Sequence, residues 1–356
     1  VKLIIDADIG LMNDDAWTVL LALAEPTVEL LGVTVVAGNF DLTSELRNAH
    51  HVLERAGHAD VPVLAGASRP LVHERGPWEH GMWGGWSLDA ASREGAAPTD
   101  PDAVDFIIDQ ARAHPGEVSI LAIGPLTTLA LAFRKEPALP RLLDRVLVMG
   151  GAIIGLPHGS GNVTPLAEFN VWVDPEAARI VLRSDARLIL VPLNATRRAR
   201  FEADDLERIV RGDGPVAALF REHVAPQYAL PPGSYLREAL HEYALCDPVA
   251  LACLVRPEVA TTTELYVDVE VGQGLAYGTT YGYVIGDPAP ADMPHPERVH
   301  HMKRHHLAGR DRLAFTGLIL PAHPPYWPTP PRPVPVVTDI DVDAFKTWFH
   351  ATLSPA

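Results

Sequence analysis

The stretch that decides the fold is VKLIIDADIGLMNDDA, residues 1–16. Leu3-Ile4-Ile5 is a short apolar run and reads as a buried strand. It leads straight into Asp6 and Asp8. A turn at Gly10 follows, and Asp14 and Asp15 then head an apolar helix from Ala16 to Ala24. Four carboxylates crowded at the end of one strand repel each other unless a positive charge sits among them. A hard divalent cation, Ca²⁺ or Mg²⁺, takes oxygen ligands and meets that need. The competing explanation is a helix cap at Asp14 with the other carboxylates solvated, since Asp is common in turns. It accounts for one or two of the four more readily than for all of them.

Outward from this stretch, strand and helix alternate. Apolar runs at Val28–Val36, Val61–Leu64, Val118–Ile123, Val146–Met149 and Leu188–Leu193 read as strands. Between them Thr43–Ala56, Ala103–Ala113, Leu126–Phe133 and Pro175–Leu182 read as helices. Continuous apolar strands separated by helices predict an open, mostly parallel α/β sheet covered on both faces. Ligands bind such sheets beyond the carboxyl ends of the strands. Asp8, Asn39, Thr127 and Asn194 each follow a strand and are placed there.

The second half changes character. Ala203–Val224 reads as one helix and Pro248–Leu254 as another. Thr262–Val271 and Ala276–Ile285 alternate as an antiparallel pair around Gly272-Gln273-Gly274. Residues 287–312 form a polar, His-rich surface insertion. His301 and His305 have the spacing of a helical metal pair, but no apolar context orients them. A Pro-rich arm, Pro321–Pro335, leads into a last strand, Val336–Ile340, and a terminal helix. With no internal repeat and no clear linker, residues 1–356 are expected to form one domain.

Composition narrows the function classes. With 47% apolar and 21% charged residues, the 356-residue chain can bury a large core. No window approaches the apolar length of a membrane span and no signal-like segment opens the chain, so a cytoplasmic protein with no membrane partner is expected. A net charge of −16 argues against nucleic acid as a partner. Cys246 and Cys253 lie seven residues apart in a helix-like segment, a poor arrangement for a disulfide.

A second polar cluster is GNVTPLAEFN, residues 161–170, followed by Asp174-Pro175 at a helix start. Asp174 reads as an N-cap, with Pro175 at the first helical position. Asn162, Glu168 and Asn170 form no amphipathic stripe. Amides and a carboxylate converging on a pocket suit a polyhydroxyl ligand such as a sugar. A third cluster is Cys246-Asp247-Pro248, where Asp247 caps a helix or ligates a metal.

Taken together, these residues resemble the inosine–uridine preferring nucleoside hydrolase family, over nearly the whole chain. Asp6-Ala7-Asp8-Ile9-Gly10 with Asp14-Asp15-Ala16 looks like the family's signature, with two extra residues before the Asp pair. Ala37-Gly38-Asn39 with Arg47-Asn48-Ala49, then Ala122–Thr127, Val148–Gly151, Gly161–Ala177 and Asp247-Pro248 are similar to its further blocks, in the family's order.

The resemblance implies roles residue by residue. Asp8, Asp15, Asp247 and the Thr127 carbonyl would hold Ca²⁺, with Asp8 as the base that deprotonates a calcium-bound water. Asp14, Asn39, Asn162, Glu168 and Asn170 would grip the ribose hydroxyls. Asp6 would position the loop. Many members carry His before the last ligand Asp, as the acid that protonates the leaving base. Here Cys246 stands there, as in some members, and serves either as that acid or as a packing thiol. His80, in the Trp- and Gly-rich run from 79 to 86, resembles a His-Gly element on an active-site loop. Trp83 or Trp86 could stack on a base, and Tyr228, Tyr235 and His241 could line its pocket.

The implied activity is hydrolysis of ribonucleosides to ribose and free base, by a homodimer or homotetramer. The alternatives are a specialised N-ribohydrolase for a modified nucleoside or nicotinamide riboside, and a nucleoside- or ribose-binding homologue without catalysis.

Overall fold

The computed structural model of the chain describes residues 1–11, 13–73, 102–200, 205, 208–209, 211–212, 214–223, 245–285, 319–320 and 332–353. Among the described residues ten strands make one sheet: β1 (Lys2–Ala7), β2 (Glu29–Val35), β3 (Val63–Ala65), β4 (Val118–Ala122), β5 (Arg145–Met149), β6 (Leu188–Val191), β7 (Ala260–Val269), β8 (Thr280–Ile285), β9 (Ile319–Leu320) and β10 (Val334–Ile340). Their order is β3-β2-β1-β4-β5-β6-β10-β7-β8-β9. From β3 to β10 every neighbouring pair is parallel. The antiparallel part is β10 with β7 and β7 with β8, and β9 then lies parallel to β8. The expected architecture holds: a mostly parallel sheet with a small antiparallel extension.

The apolar runs read as strands because both faces of the sheet are covered. Along β1, Leu3, Ile5 and Ala7 enter one core while Ile4 enters the other. β4 and β5 divide the same way, with Leu121, Leu147 and Met149 on the first side and Ile120, Val146 and Val148 on the second. Helices α1 (Asp14–Ala24) and α2 (Leu42–Arg55) contribute to the first core. The second takes α3 (Asp102–Ala113), α4 (Thr127–Lys135), the one-turn α5 (Leu139–Leu142) and, after the short α6 (Phe169–Val173), α7 (Pro175–Leu182). The remaining α-helices among the described residues are α8 (Leu193–Thr196), α9 (Pro215–His223), α10 (Cys246–Val255) and α11 (Val342–Leu353). Trp17 on α1 is buried with its ring 5.8 Å from Phe220 of α9 and 5.9 Å from Phe349 of α11. An aromatic contact of this kind locks α1 against both helices.

Three sequence expectations need correcting. The single helix over 203–224 is interrupted: residues 212 and 214 are not helical, and α9 begins at Pro215. Two glycines so close together carry a high helix-breaking cost. The strand expected over 188–193 stops at Val191, because Pro192 caps α8. Asn194 is spent on structure: its Oδ1 accepts from Ile153 N at 2.8 Å, and its Nδ2 donates to Pro157 O at 2.8 Å. His80, Trp83, Trp86, Tyr228, Tyr235, His241 and the 287–312 segment lie outside the described residues. No helix among the described residues is long and apolar enough to cross a membrane.

Candidate metal and catalytic centre

The strand order reverses direction between β1 and β4, the crevice where open α/β sheets bind ligands. The polar sequence blocks come off the carboxyl ends of β1, β2, β4 and β5 around it. Asp8 follows β1, Asn39 follows β2, Gly124 to Thr127 follow β4, and Gly150 follows β5.

The chain must come very close to Asp8. A Cβ on Gly38 would penetrate the Asp8 carboxylate, and one on Gly124 would lie 2.9 Å from Asp8 N. Only glycine fits at either position. Asn39 holds the same residue twice, donating from its amide N to Asp8 Oδ2 at 3.0 Å and from Nδ2 to Asp8 O at 2.8 Å.

α1 delivers the Asp pair. Its N-cap is Asn13, whose Oδ1 accepts from Ala16 N while its Nδ2 donates to Asp15 Oδ2 at 2.7 Å. The other Asp15 oxygen accepts from Asp8 N at 3.2 Å. α10 packs on α1 and presents Asp247 in its first turn. The outcome is that carboxylate oxygens of Asp14, Asp15 and Asp247 all lie within 4.8 Å of one another. Asp8, Asp15 and Asp247 are almost wholly shielded from solvent, at 1%, 1% and 3% exposed.

Burial, then the charges of neighbouring carboxylates, push the carboxyls of Asp8, Asp15 and Asp247 well above their ordinary range. Such a group of anions is unstable without a cation. Oxygen ligands around Ca²⁺ sit at about 2.3–2.6 Å, so opposed ones are roughly 4.6–5.2 Å apart. The observed gathering fits a divalent cation of that kind. Asp14, expected on the sugar, stands among these oxygens, and Asp8 sits beside them with one oxygen on Asn39.

The expected supporting residues are also located. Thr127 starts α4 and donates its hydroxyl to Asp174 Oδ2 at 2.7 Å. Asp174 caps α7 as expected and also accepts from Leu71 N at 2.8 Å. Glu168 is the N-cap of α6, accepting from Asn170 N, Val171 N and Gly151 N at 2.8–3.1 Å. Burial raises its carboxyl despite these bonds. Asn170 donates from Nδ2 to Ile123 O at 2.6 Å and to Met149 O at 3.3 Å, tying the ends of β4 and β5. Asn162 accepts from Phe169 N at 2.9 Å. Asp6 takes the Thr34 hydroxyl at 2.6 Å, and burial raises its carboxyl to about 7. It is a structural neighbour of the centre within β1.

Cys246 opens α10 and, like Cys253, is a free thiol. Burial and the charges of Asp14 and Glu168 push that thiol far up, so it keeps its proton at neutral pH.

Two contributors were missed in the sequence. Glu45, fully buried on α2, accepts from Gly38 N at 3.1 Å and Phe40 N at 2.6 Å, the two amides flanking Asn39. Arg197, directly after α8, donates to Ser160 O at 2.6 Å and to Gly161 O at 2.8 Å, bracing the turn before Asn162. Its charge is also felt at Cys246 and Glu168. The signal for Glu45 was its place on α2 six residues after Asn39. Arg197 had none beyond following a strand end.

The inosine-uridine preferring nucleoside hydrolase family model matches residues 3–347. An uncharacterized protein of Schizosaccharomyces pombe is 38% identical over 291 residues, 78% of this chain and 87% of that one. A pyrimidine-specific ribonucleoside hydrolase, RihB of Escherichia coli, is 33% identical over 300 residues, 81% of this chain and 90% of its own length. The structure of a plant nucleoside hydrolase, the PpNRh1 enzyme, superposes with a TM-score of 0.72 at 27% identity, covering 100% of this chain and 99% of that one.

Proposed function

The chain belongs to the inosine-uridine preferring nucleoside hydrolase family, and from that premise we propose that it hydrolyses ribonucleosides to ribose and free base with Asp8 as general base. The observation that carries this reading is the convergence of Asp14, Asp15 and Asp247 oxygens within 4.8 Å, beside Asp8, at the switch point of the sheet.

Asp8, Asp15, Asp247 and the Thr127 carbonyl would hold Ca²⁺, with Asp14 alongside. When bound, the ion would lower the pKa of the attacking water and orient the ribose diol. Asp8 takes a proton from that water as its oxygen bonds the anomeric carbon and the bond to the base breaks. Positive charge grows on the sugar ring during the break, as in O-glycoside hydrolysis. The carboxylates of Asp14 and Glu168 stabilise it, more in the transition state than in the ground state. Asn39, Asn162 and Asn170 each spend part of their polar surface on the backbone, which fixes the remaining part for the ribose hydroxyls.

The departing base takes up a proton, and Cys246 and His80 are the candidates to supply it. Cys246 suits the role of a Cys-bearing subgroup because its thiol stays protonated, though a weak acid is a slow donor. Trp83 and His241 are assigned to the base. We place the enzyme in the cytoplasm as a single-domain homodimer or homotetramer, a state that light scattering would measure.

A panel of inosine, uridine, cytidine and nicotinamide riboside tests substrate scope, with ribose release as the readout. The Escherichia coli relative's pyrimidine specificity supports a narrower second reading, in which uridine turns over and inosine does not. Asp8→Ala should lower kcat by about 10²–10⁴-fold with the fold retained. A near wild-type rate removes Asp8 from the role. Tight nucleoside binding with no ribose released by the native chain would favour a binding protein instead.

A further inference from the structure

A second set of metal-competent side chains shares no residue with the carboxylate centre. His51 on α2 meets Glu222 and His223 at the end of α9, and one ligand atom from each lies within 4.8 Å of the others. The two imidazole Nε2 atoms are 3.4 Å apart, with rings near perpendicular at 75°. That separation is long for a hydrogen bond, where about 2.7–3.2 Å is usual. It matches a shared tetrahedral cation: two nitrogens each about 2.0–2.1 Å from zinc lie about 3.3 Å apart. Glu222 completes the set with Oε1 at 3.7 Å from His223 Nε2, while Arg55 holds the other carboxylate oxygen.

From this geometry we propose that His51, Glu222 and His223 form a zinc site that staples α2 to α9. Two imidazoles and one carboxylate are the ligand types that zinc takes, whereas the hard oxygen-only centre suits calcium. Three protein ligands leave the fourth position to solvent. The staple has a mechanical meaning. α2 carries Glu45 and Asn48, and Asn48 Nδ2 donates to Ile9 O at 3.0 Å, so fixing α2 also fixes the loop between β1 and α1.

The test uses the full-length, calcium-saturated protein titrated with zinc chloride against a competing chelator dye, and with cobalt chloride for visible absorption. The expected result is about one zinc per chain, and intense cobalt bands of a tetrahedral N/O site. His51→Ala and His223→Gln should each weaken zinc at least tenfold. Asp15→Asn, in the other centre, should leave zinc affinity unchanged. Circular dichroism melts without zinc check that the variants fold, and if His51→Ala does not, His223→Gln alone decides. Three outcomes overturn the site: no zinc bound by the native chain, equal zinc bound by the His variants, or zinc lost with Asp15→Asn.

Discussion

Glu45 illustrates how one buried side chain sets up another residue's chemistry. Its carboxylate takes the two amides flanking Asn39, and Asn39 in turn holds Asp8 by backbone and carboxylate. Glu45→Ala leaves two buried donors without their acceptor, at about 1–3 kcal/mol each. The expected outcome is a kcat/KM roughly 10–100-fold lower, carried mainly by kcat, because Asp8 is misplaced. Glu45→Gln keeps the acceptor oxygen and should recover most of the rate. Steady-state kinetics on the three proteins decide it, and an unimpaired Glu45→Ala would dismiss the role. Asp8 and Asp15 were legible in the sequence because four carboxylates crowded at one strand end call for a cation, whereas Asp247 stood open between helix cap and metal ligand until the family resemblance gave it a role. Glu45 was not legible, because one acidic residue in a helix's first turn is explained by the helix dipole alone. Arg197 was hidden for a similar reason: its work lies in bonds to carbonyls of a turn some 37 residues away, a partnership no local pattern records.

At the scale of elements, the centre is a junction of two helices. α1 and α10 pack together, and their first turns point Asp14, Asp15 and Asp247 at each other. Without a cation this junction is repulsive, so removing divalent cations by chelation should lower Tm by several degrees in a thermal melt, with recovery on re-addition. The pH dependence has a definite sign. In the metal-free fold the carboxyls of Asp8, Asp15 and Asp247 are raised, and a carboxylate must lose its proton to ligate. Uptake of a divalent cation here therefore releases protons, and its affinity falls as pH falls. Calorimetry in two buffers of different ionisation heat measures this, and observed heats that are identical in the two buffers before any correction would contradict it. Element boundaries were largely legible from the apolar pattern: α2, α4 and α7 bury one face in a core, and α1, buried from Asp15 to Ala22, reads as a continuous apolar run. α6 and α8 were not, because five and four residues are too few to display a 3.6-residue period.

At the scale of the molecule, the last strand lies in the middle of the sheet. β10 pairs with β6 on one side and β7 on the other, with Val336 fully buried opposite both Leu190 and Thr263. The parallel half of the sheet could be read from successive strand–helix units. The position of β10 could not, because both its neighbours are remote in sequence and no local signal selects them. Val336→Asp puts an unpaired carboxylate into the core and should cost several kcal/mol, on the order of 3 or more. The expected outcome is loss of the cooperative denaturant transition, or aggregation seen by size-exclusion chromatography. A native-like transition midpoint would show that β10 is dispensable to the sheet.

That insertion also orders events in time. A ribosome releases β6 and β7 well before β10, so during synthesis two open strand edges await a partner still inside the exit tunnel. Until residues 334–340 emerge, each edge is a template for any other nascent chain nearby. Completion of the sheet therefore waits on the emergence of residues 334–340, and that interval is the period in which this protein depends most on chaperones.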